Sequence, residues 1–311
     1  MQRQLSLLDT LSSSIMKSKC IIVLSEKSSG SSALQNLLSR HADIKHIEKT
    51  RHYENESLYW TKAASALGMS QENMLSSEVP IPANKAKEDI ANLLRDNLRN
   101  NPPFEVFDEN FIFKGWQLLC EQYSPIFFEK SPHHLLQWSS IELIIRAANE
   151  IKNVDFLVVG LVRNPMDVLY SHYQRWGVDP DRMQNQWVKS YSNLNRLENM
   201  RHEVNFELIV LKYEDIVPSN QKLKSVLNFC NVDIQDLDDS FLHQNSISKW
   251  KKDSSYGFSL SDNAYQLARR FGYEKTTLTN DYKSFWRVKK HLRVRLFSLA
   301  IFIKRIAKGE V

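Results

Sequence analysis

The stretch from Cys20 to Arg40 constrains the fold more than any other part of the chain. It opens with the apolar run CIIVL, which is rich in β-branched residues and has the length of a buried strand. A small polar turn from Ser25 to Ser32 follows. Apolar residues then recur at helical spacing, at Ala33, Leu34, Leu37 and Leu38. The first backbone N–H groups of such a helix face the loop, so the segment predicts a phosphate or sulfate site, although an ordinary turn with a serine cap has the same pattern.

Three further strands alternate with helices along the chain. They are predicted at 126–128, 155–162 and 206–212. This alternation predicts an α/β fold with a central parallel sheet flanked by helices. Polar side chains follow three of the strands: Lys27 to Ser32, Lys130 with Ser131, and Arg163. Because ligands of such sheets bind beyond the carboxyl ends of the strands, we expect these side chains to converge in an anion-binding cleft.

A second informative segment runs from Phe156 to Trp176. Arg163 leaves the end of a strand, and Pro165 suits the first turn of the next helix, where a missing N–H costs nothing. Ser171 follows about two helical turns after Arg163. A guanidinium and a hydroxyl placed in this way can hold one phosphate group together.

Other classes of site lack their signatures. Neither the Walker A pattern nor G-x-G-x-x-G is present. The cysteines Cys20, Cys120 and Cys230 are too far apart for metal-ligand spacing, and we expect neither a disulfide framework nor a metal. We expect no signal peptide and a cytoplasmic location. The net charge of +5 is concentrated after Asp281, so nucleic-acid binding by the body is not indicated.

The chain resembles the PAPS-dependent sulfotransferases, which transfer a sulfuryl group from 3′-phosphoadenylyl sulfate. Ser29-Gly30-Ser31-Ser32 resembles their 5′-phosphosulfate loop, with Lys27 one position earlier than the basic residue of the pattern. Residues 163–173 match the family's 3′-phosphate signature, R-[DN]-P-x-D-x-x-x-S-x-[YF], at every position. Three weaker segments occur in the family's order: EKSP at 129–132, LKYED at 211–215 and SISKWK at 246–251.

The resemblance implies a P-loop-like architecture and a set of site residues. The residues implied to bind the nucleotide are Lys27, Ser28, Ser29, Gly30, Ser31, Ser32, Arg163, Ser171, Lys249 and Trp250. Lys27 and Lys130 are also implied to stabilise the transferring sulfuryl group. The product would be PAP, the 3′,5′-bisphosphate of adenosine, and no metal is required.

The catalytic base is predicted among three residues. Transfer to an alcohol needs a group that accepts the hydroxyl proton. In related sulfotransferases the segment after the first helix reads K-E-x-H-[YF], and here Thr50 replaces the Glu while His52 fits the His position. His52 titrates near neutral pH and is the proposed base. Glu54 and Glu56 remain alternatives.

The chain divides into three parts. Residues 1–17 form an N-terminal extension, residues 18–280 form the sulfotransferase domain with a helical insertion at about 55–115, and residues 281–311 form a basic, amphipathic C-terminal helix. Eight apolar residues at 296–303 are too few to span a bilayer. The helix therefore either contacts an anionic membrane surface peripherally, or packs on the body or on a second subunit of a homodimer.

The predicted function is sulfuryl transfer from PAPS to a hydroxyl on a carbohydrate, a glycolipid or another lipid-linked glycan, or a small molecule. Two alternatives stay open. One is a nucleotide-dependent kinase, because sulfotransferases share the P-loop architecture, although the Walker lysine and a Mg²⁺-binding set are missing. The other is a catalytically silent protein that binds PAP, another anion or a glycan, suggested by Ser28 and Thr50 at positions where the family pattern has other residues.

Overall fold

The computed structural model describes residues 17–52, 54–99, 106–233, 244–281 and 283–307. Five strands form one sheet, in the order β2-β3-β1-β4-β5, and every neighbouring pair is parallel. The strands are β1 (Ser18–Ser25), β2 (Ile44–His46), β3 (Ile126–Lys130), β4 (Val154–Val162) and β5 (Glu207–Lys212). The predicted parallel α/β fold is therefore confirmed.

Helices fill the connections between the strands and follow the last one. They are α1 (Ser31–Leu38), α2 (Tyr59–Ala66), α3 (Ala83–Asn97), α4 (Glu109–Gln122), α5 (His133–Leu136), α6 (Trp138–Glu150), α7 (Pro165–Trp176), α8 (Pro180–Asn199), α9 (Tyr213–Ile216), α10 (Lys224–Cys230), α11 (Asp262–Arg270), α12 (Lys275–Leu278) and α13 (Trp286–Ala307). Short 3₁₀ turns lie at Asn220–Leu223, Gln244–Ser246 and Lys249–Lys252. The helical insertion expected at 55–115 contains α2, α3 and the start of α4. The N-terminal extension lies almost entirely outside the described residues.

The alternation of side chains along β1 divides the core into two layers. Cys20, Ile22 and Leu24 point into the larger cluster, whereas Ile21 and Val23 point into the smaller one on the opposite face. Both sets are fully buried, which explains why the sequence of β1 is apolar at every position rather than at alternate ones.

The two helices that follow β1 and β4 lie on opposite faces of the sheet. Leu34 and Leu37 of α1 belong to the smaller cluster, and Met166 and Leu169 of α7 belong to the larger one. Because β1 and β4 are neighbours, the sheet has a topological switch point between them. A crevice at the carboxyl ends of these strands is where ligands of open α/β sheets bind.

Candidate functional site

The loop between β1 and α1 is held in an unusual backbone conformation. Ser28 and Gly30 both have positive φ, at 64° and 91°. Gly30 immediately precedes α1, so the free N–H groups of the first helical turn face the crevice. The ring of Tyr213 packs against Gly30 so closely that a Cβ atom on Gly30 would lie 2.2 Å from two ring carbons. Only glycine therefore fits this position without a shift of the ring.

We expect Gly30→Ala to lower the free energy of unfolding by two separate effects. The left-handed backbone costs about 1–3 kcal/mol for a residue with a Cβ. Moving the Tyr213 ring adds an overpacking cost of about 1–3 kcal/mol. Gly68→Ala is a matched control, because Gly68 has a φ of 75° and nothing lies within 4 Å of its added Cβ. Urea unfolding should give a larger loss for Gly30→Ala, and equal losses would contradict the packing argument.

Helix α8 supports the loop from below through buried hydrogen bonds. The Glu26 carboxylate accepts from Gln186 Nε2 at 2.9 Å and from Ser190 Oγ at 2.7 Å, as well as from the backbone N–H of Lys27 at 2.9 Å. Burial raises the pKa of Glu26, and these hydrogen bonds offset the rise only in part. Ser29 Oγ lies 2.9 Å from the hydroxyl of Tyr191, which donates to the carbonyl of Leu161. Ser29, one of the residues predicted to bind the nucleotide, is therefore fully buried, and its hydroxyl holds the loop against α8.

Arg163, which follows β4, connects this strand to the loop between β1 and α1 and has more N–H groups than the two that it uses for this. Its Nη1 donates to the carbonyl of Ser28 at 2.8 Å, and its Nη2 donates to the carbonyl of Ser246 at 2.6 Å. The guanidinium lies 4.8 Å from the centre of the Tyr213 ring. Its Nε is buried without a hydrogen-bond partner among the described residues. Since a guanidinium has five N–H donors, several remain for an anionic ligand.

Helix α7 presents a hydroxyl and a second guanidinium to the same crevice. Ser171 Oγ donates to Ser28 Oγ at 3.1 Å, so the predicted partners of the two phosphate groups already touch each other. Arg175 follows Ser171 by one helical turn and lines the same cavity. Sequence reasoning did not single out Arg175, although its spacing of four residues from Ser171 was the available signal.

A cavity of about 180 Å³ joins the loop, α7 and the segment before α2. It is lined by Lys27, Ser28, Gly30, Ser31, Ser32, His52, Glu54, Glu56, Pro132, Arg163, Ser171, Arg175 and Trp176. Three cations and four serine hydroxyls make most of this surface suitable for an anion. The structure therefore brings together most of the residues that the sequence predicted to bind a nucleotide.

Glu56 is the centre of a buried group of charged and titratable side chains. Lys130 Nζ lies 3.1 Å from its Oε1, and His133 Nδ1 lies 3.3 Å from its Oε2. Burial alone would raise the pKa of Glu56, but the contact with His133 and the charge of Lys130 outweigh this and hold the pKa at about 2. Burial lowers the pKa of His133 to about 4. At neutral pH the carboxylate is thus ionised and His133 is neutral.

His52 lies at the edge of this group, nearer to the cavity. Its Nδ1 is 3.7 Å from Glu56 Oε2 and 3.3 Å from the backbone nitrogen of Glu54. Burial lowers the pKa of His52 below its ordinary value of 6.5, and Glu56 offsets this only in part. His52 is consequently neutral at physiological pH and can accept a proton. Glu54 lines the cavity beside it and is half-buried.

The same group has the residue types of a cation site. One donor atom from each of His52, Glu56 and His133 lies within 4.8 Å of the others, and two imidazoles with a carboxylate are a common zinc set. The Lys130 ammonium, however, already supplies the positive charge that neutralises Glu56. The geometry therefore gives a divalent cation little electrostatic advantage at this place.

A second cavity of about 270 Å³ opens on the other side of His52 and Glu56. It is bounded by α3, by the start of α2 and by the segment after β2. Both residues line both cavities. The other lining residues are Lys49, Thr50, Arg51, Ser57, Lys62, Glu78, Lys85, Asp89, Asn92, Leu93 and Asp96. The wall is almost entirely polar or charged.

Some predicted site residues lie elsewhere than in the lining of the first cavity. Lys130 is buried behind it, where Nζ contacts Glu56 and donates to Ser32 Oγ at 3.3 Å. Trp250 is buried in the larger core cluster, and Lys249 beside it is exposed. The segment 246–251 contacts the site through its backbone, because the carbonyl of Ser246 accepts a hydrogen bond from Arg163.

Helices α8 and α11 and the contacts of Glu214 are additional to the predicted features. Neither helix was predicted. Glu214, in the first turn of α9, accepts from the backbone N–H of Asn164 at 2.9 Å and from the Tyr273 hydroxyl at 2.8 Å. It thereby fixes the turn between Arg163 and α7.

Comparisons with known proteins agree with this arrangement. The model of the sulfotransferase family matches residues 20–236. The fold is similar to that of the sulfotransferase domain from the Synechococcus PCC 7002 olefin synthase, at 17% identity and a TM-score of 0.54, over 83% of this chain and 96% of the other. It is also similar to the sulfotransferase domain from the curacin biosynthetic pathway, at 19% identity and a TM-score of 0.51, over 83% and 98%. At these identities the structural likeness concerns the fold alone. No curated protein matches the chain.

Proposed function

This chain belongs to the sulfotransferase family, and from that premise we propose that it transfers the sulfuryl group of PAPS to a hydroxyl on a polar acceptor. One observation carries the proposal: an anion-binding cavity and a polar cavity meet at His52 and Glu56. A group transfer between two substrates requires two adjoining pockets with an acid–base group where they join.

The lining of the first cavity fits a nucleotide with phosphate groups at both ends. Ser28, Gly30, Ser31 and Ser32 offer hydroxyls and helix N–H groups to the 5′-phosphosulfate, and Lys27 adds a charge beside them. Arg163 and Ser171 hold the 3′-phosphate, and the guanidinium has N–H groups beyond the two that donate to Ser28 and Ser246. Arg175 reinforces this end. Nucleotide binding by Lys249 and Trp250 stays a prediction.

His52 removes the proton of the acceptor hydroxyl as its oxygen attacks the sulfur. To accept at Nε2, the ring must carry its own proton on Nδ1, so in this step Nδ1 donates to the Glu56 carboxylate, 3.7 Å away, in place of accepting the backbone N–H of Glu54. The bond between sulfur and the 5′-phosphate oxygen breaks, and PAP leaves with the electron pair. Lys27 stabilises the charge that develops on the leaving phosphate. Lys130 keeps Glu56 ionised and orients Ser32.

The second cavity supports a hydrophilic acceptor. Among the described residues that line it, one is apolar, Leu93. The others present ammonium, guanidinium, imidazole, carboxylate, hydroxyl and amide groups. Such a wall can hydrogen-bond many hydroxyls of one molecule, whereas a flat apolar phenol would leave these groups unsatisfied. A carbohydrate, free or lipid-linked, fits this chemistry best.

The experiment is turnover of ³⁵S-labelled PAPS with a panel of glycans and of simple phenols, each assayed with and without EDTA. We expect transfer to a glycan and none to the phenols, with PAP as the product. A PAP titration and an assay of phosphoryl transfer from ATP in the presence of Mg²⁺ separate the alternatives. Phosphoryl transfer from ATP would contradict the proposal and identify a kinase. Tight PAP binding without turnover of any acceptor would identify a catalytically silent binding protein. Loss of turnover in EDTA would show that a metal is required.

A further inference from the structure

Helix α13 is anchored to the body along one face of its first half. The Trp286 side chain is buried against the rings of Tyr173 and Tyr256, at 5.2 and 4.8 Å between ring centres. Arg293 donates to the backbone carbonyls of Tyr173 and Gln174, at 3.2 and 3.0 Å. Positions 286, 290, 293 and 297 are spaced by whole helical turns and form this anchored face.

Beyond Phe297 the helix leaves the body. Every described side chain from Ser298 to Ala307 is exposed. At about 1.5 Å per residue, these ten positions form an overhang on the order of 15 Å long. No other described part of the chain packs on this overhang, so its side chains face solvent on all sides.

An apolar stripe runs along the side of α13 that faces away from the body. Its members recur every three or four residues and each is more than half exposed. They are Val288, Leu292, Leu296, Leu299, Ile303 and Ile306. We call this set the outer stripe. Exposed apolar residues scattered singly are normal, but a continuous row of this length marks a surface that another apolar phase covers.

The charges around the outer stripe are all of one sign. The sequence from Lys283 to Ala307 contains no acidic residue. Lys290 is paired with Asp179 and Asp181 of the body, but no ion pair among the described residues involves the exposed side chains of Arg287, Arg295 or Lys304. The unpaired cations lie along the same exposed helix as the stripe.

This charge pattern decides between the two occupants that could cover the stripe. A second copy of the chain could pair its stripe with this one, because the spacing of three and four residues suits two helices side by side. The flanking residues would then bring cations against cations, with no acidic residue in either helix to compensate. An anionic bilayer instead offers acyl chains to the stripe and phosphates to the cations. We propose that α13 binds in the surface plane of membranes that contain anionic lipid.

Within the described residues, no helix has the length and the apolar character needed to cross a bilayer. Surface binding through α13 would also fix the position of the active site. Its anchored face packs on α7, and Ser171, Arg175 and Trp176 of that same helix line the first cavity. The site would thus sit at a constant height above the lipid, where a membrane-borne acceptor could reach it.

The test is co-sedimentation of the full chain with phosphatidylcholine vesicles, with and without phosphatidylglycerol. We expect binding only to the anionic vesicles and a decrease as salt is raised. The double variant Leu299→Ser/Ile303→Ser should weaken binding at least about tenfold, because it removes two aliphatic side chains that insert into the bilayer in the proposed complex. Arg295→Ala/Lys304→Ala should weaken it with a smaller dependence on salt. Val106→Ser is the control, since Val106 is an exposed apolar residue elsewhere on the surface, 67% exposed.

All of these positions are exposed and lie outside the catalytic and binding machinery, so the variants should unfold at the same urea concentration as the parent and bind PAP equally well. Equal sedimentation with neutral and anionic vesicles would overturn the proposal. So would a dimer in analytical ultracentrifugation that dissociates in the Leu299→Ser/Ile303→Ser variant while vesicles are ignored. In that case the second copy is the occupant of the outer stripe.

Discussion

Replacing His52 by alanine is expected to lower kcat by about 10²- to 10⁴-fold with PAP affinity unchanged, because the variant loses the group that accepts the hydroxyl proton. Stopped-assay turnover of labelled PAPS and a PAP titration measure the two quantities. Glu54→Gln is the matched control, since Glu54 lines the same cavity and keeps its size in the variant. Full turnover in His52→Ala together with a large loss in Glu54→Gln would assign the base to Glu54.

The pH profile checks the same assignment independently. The base works in its deprotonated form, so the rate rises with pH through the pKa of the base and then stays level. Burial lowers the pKa of His52 below 6.5, which places the rising limb on the acidic side of that value and the plateau across neutral pH. A base at Glu56, whose pKa is about 2, would give no limb in the range where the protein is assayed. A limb that persists unchanged in His52→Ala contradicts the His52 assignment.

Arg163→Ala should weaken PAP binding at least about tenfold while hardly changing the affinity for AMP. A charge-assisted hydrogen bond to phosphate contributes on the order of 1.5–3 kcal/mol, and 1.4 kcal/mol corresponds to a factor of about ten. AMP lacks the 3′-phosphate and has nothing to lose at this position. Isothermal titration calorimetry with the two nucleotides gives the ratio directly.

Arg163 also joins Ser28 to Ser246, so its removal could disturb the loop. Arg196→Ala is a control of the same kind, because that guanidinium also stacks on an aromatic ring, 3.6 Å from the centre of Trp138. Urea unfolding of both variants separates lost stability from lost binding. If wild-type protein binds PAP and AMP equally, or if Arg163→Ala weakens both by the same factor, Arg163 is not a 3′-phosphate ligand.

The elements that local sequence could predict are those whose residues are close together in the chain. The apolar run of β1 and the spacing from Arg163 to Ser171 each lie within one strand–loop–helix unit. Helix α8 was not predicted because most of its residues are polar, and its few apolar residues give only a weak helical pattern. The apolar residues that recur at helical spacing and are buried are Met183, Trp187, Tyr191 and Leu194. Asp179 followed by Pro180 is nevertheless a typical signal for the start of a helix, with Asp179 as the N-cap and Pro180 in the first turn.

The surroundings of Glu56 could not be predicted in the same way. Its partners Lys130 and His133 come from the end of β3 and the start of α5, more than seventy residues further along the chain. Only the pairing of β1 with β3 and the path of the insertion bring these segments together. The pKa values that separate an ionised Glu56 from a neutral His133 arise from this long-range burial, which no local pattern records.

Ser28 has a consequence for any molecule that competes for this site. Its carbonyl accepts from Arg163 and its hydroxyl accepts from Ser171, so the loop proposed to hold the 5′-phosphosulfate is hydrogen-bonded directly to both side chains proposed to hold the 3′-phosphate. A bisphosphate that binds at one end meets the other end intramolecularly, at a high effective concentration. A monophosphate gains no such bivalent advantage, however strong its single contact. In the proposed binding mode, a nucleotide with both phosphates would therefore be favoured by its two simultaneous contacts more than by the strength of either contact alone.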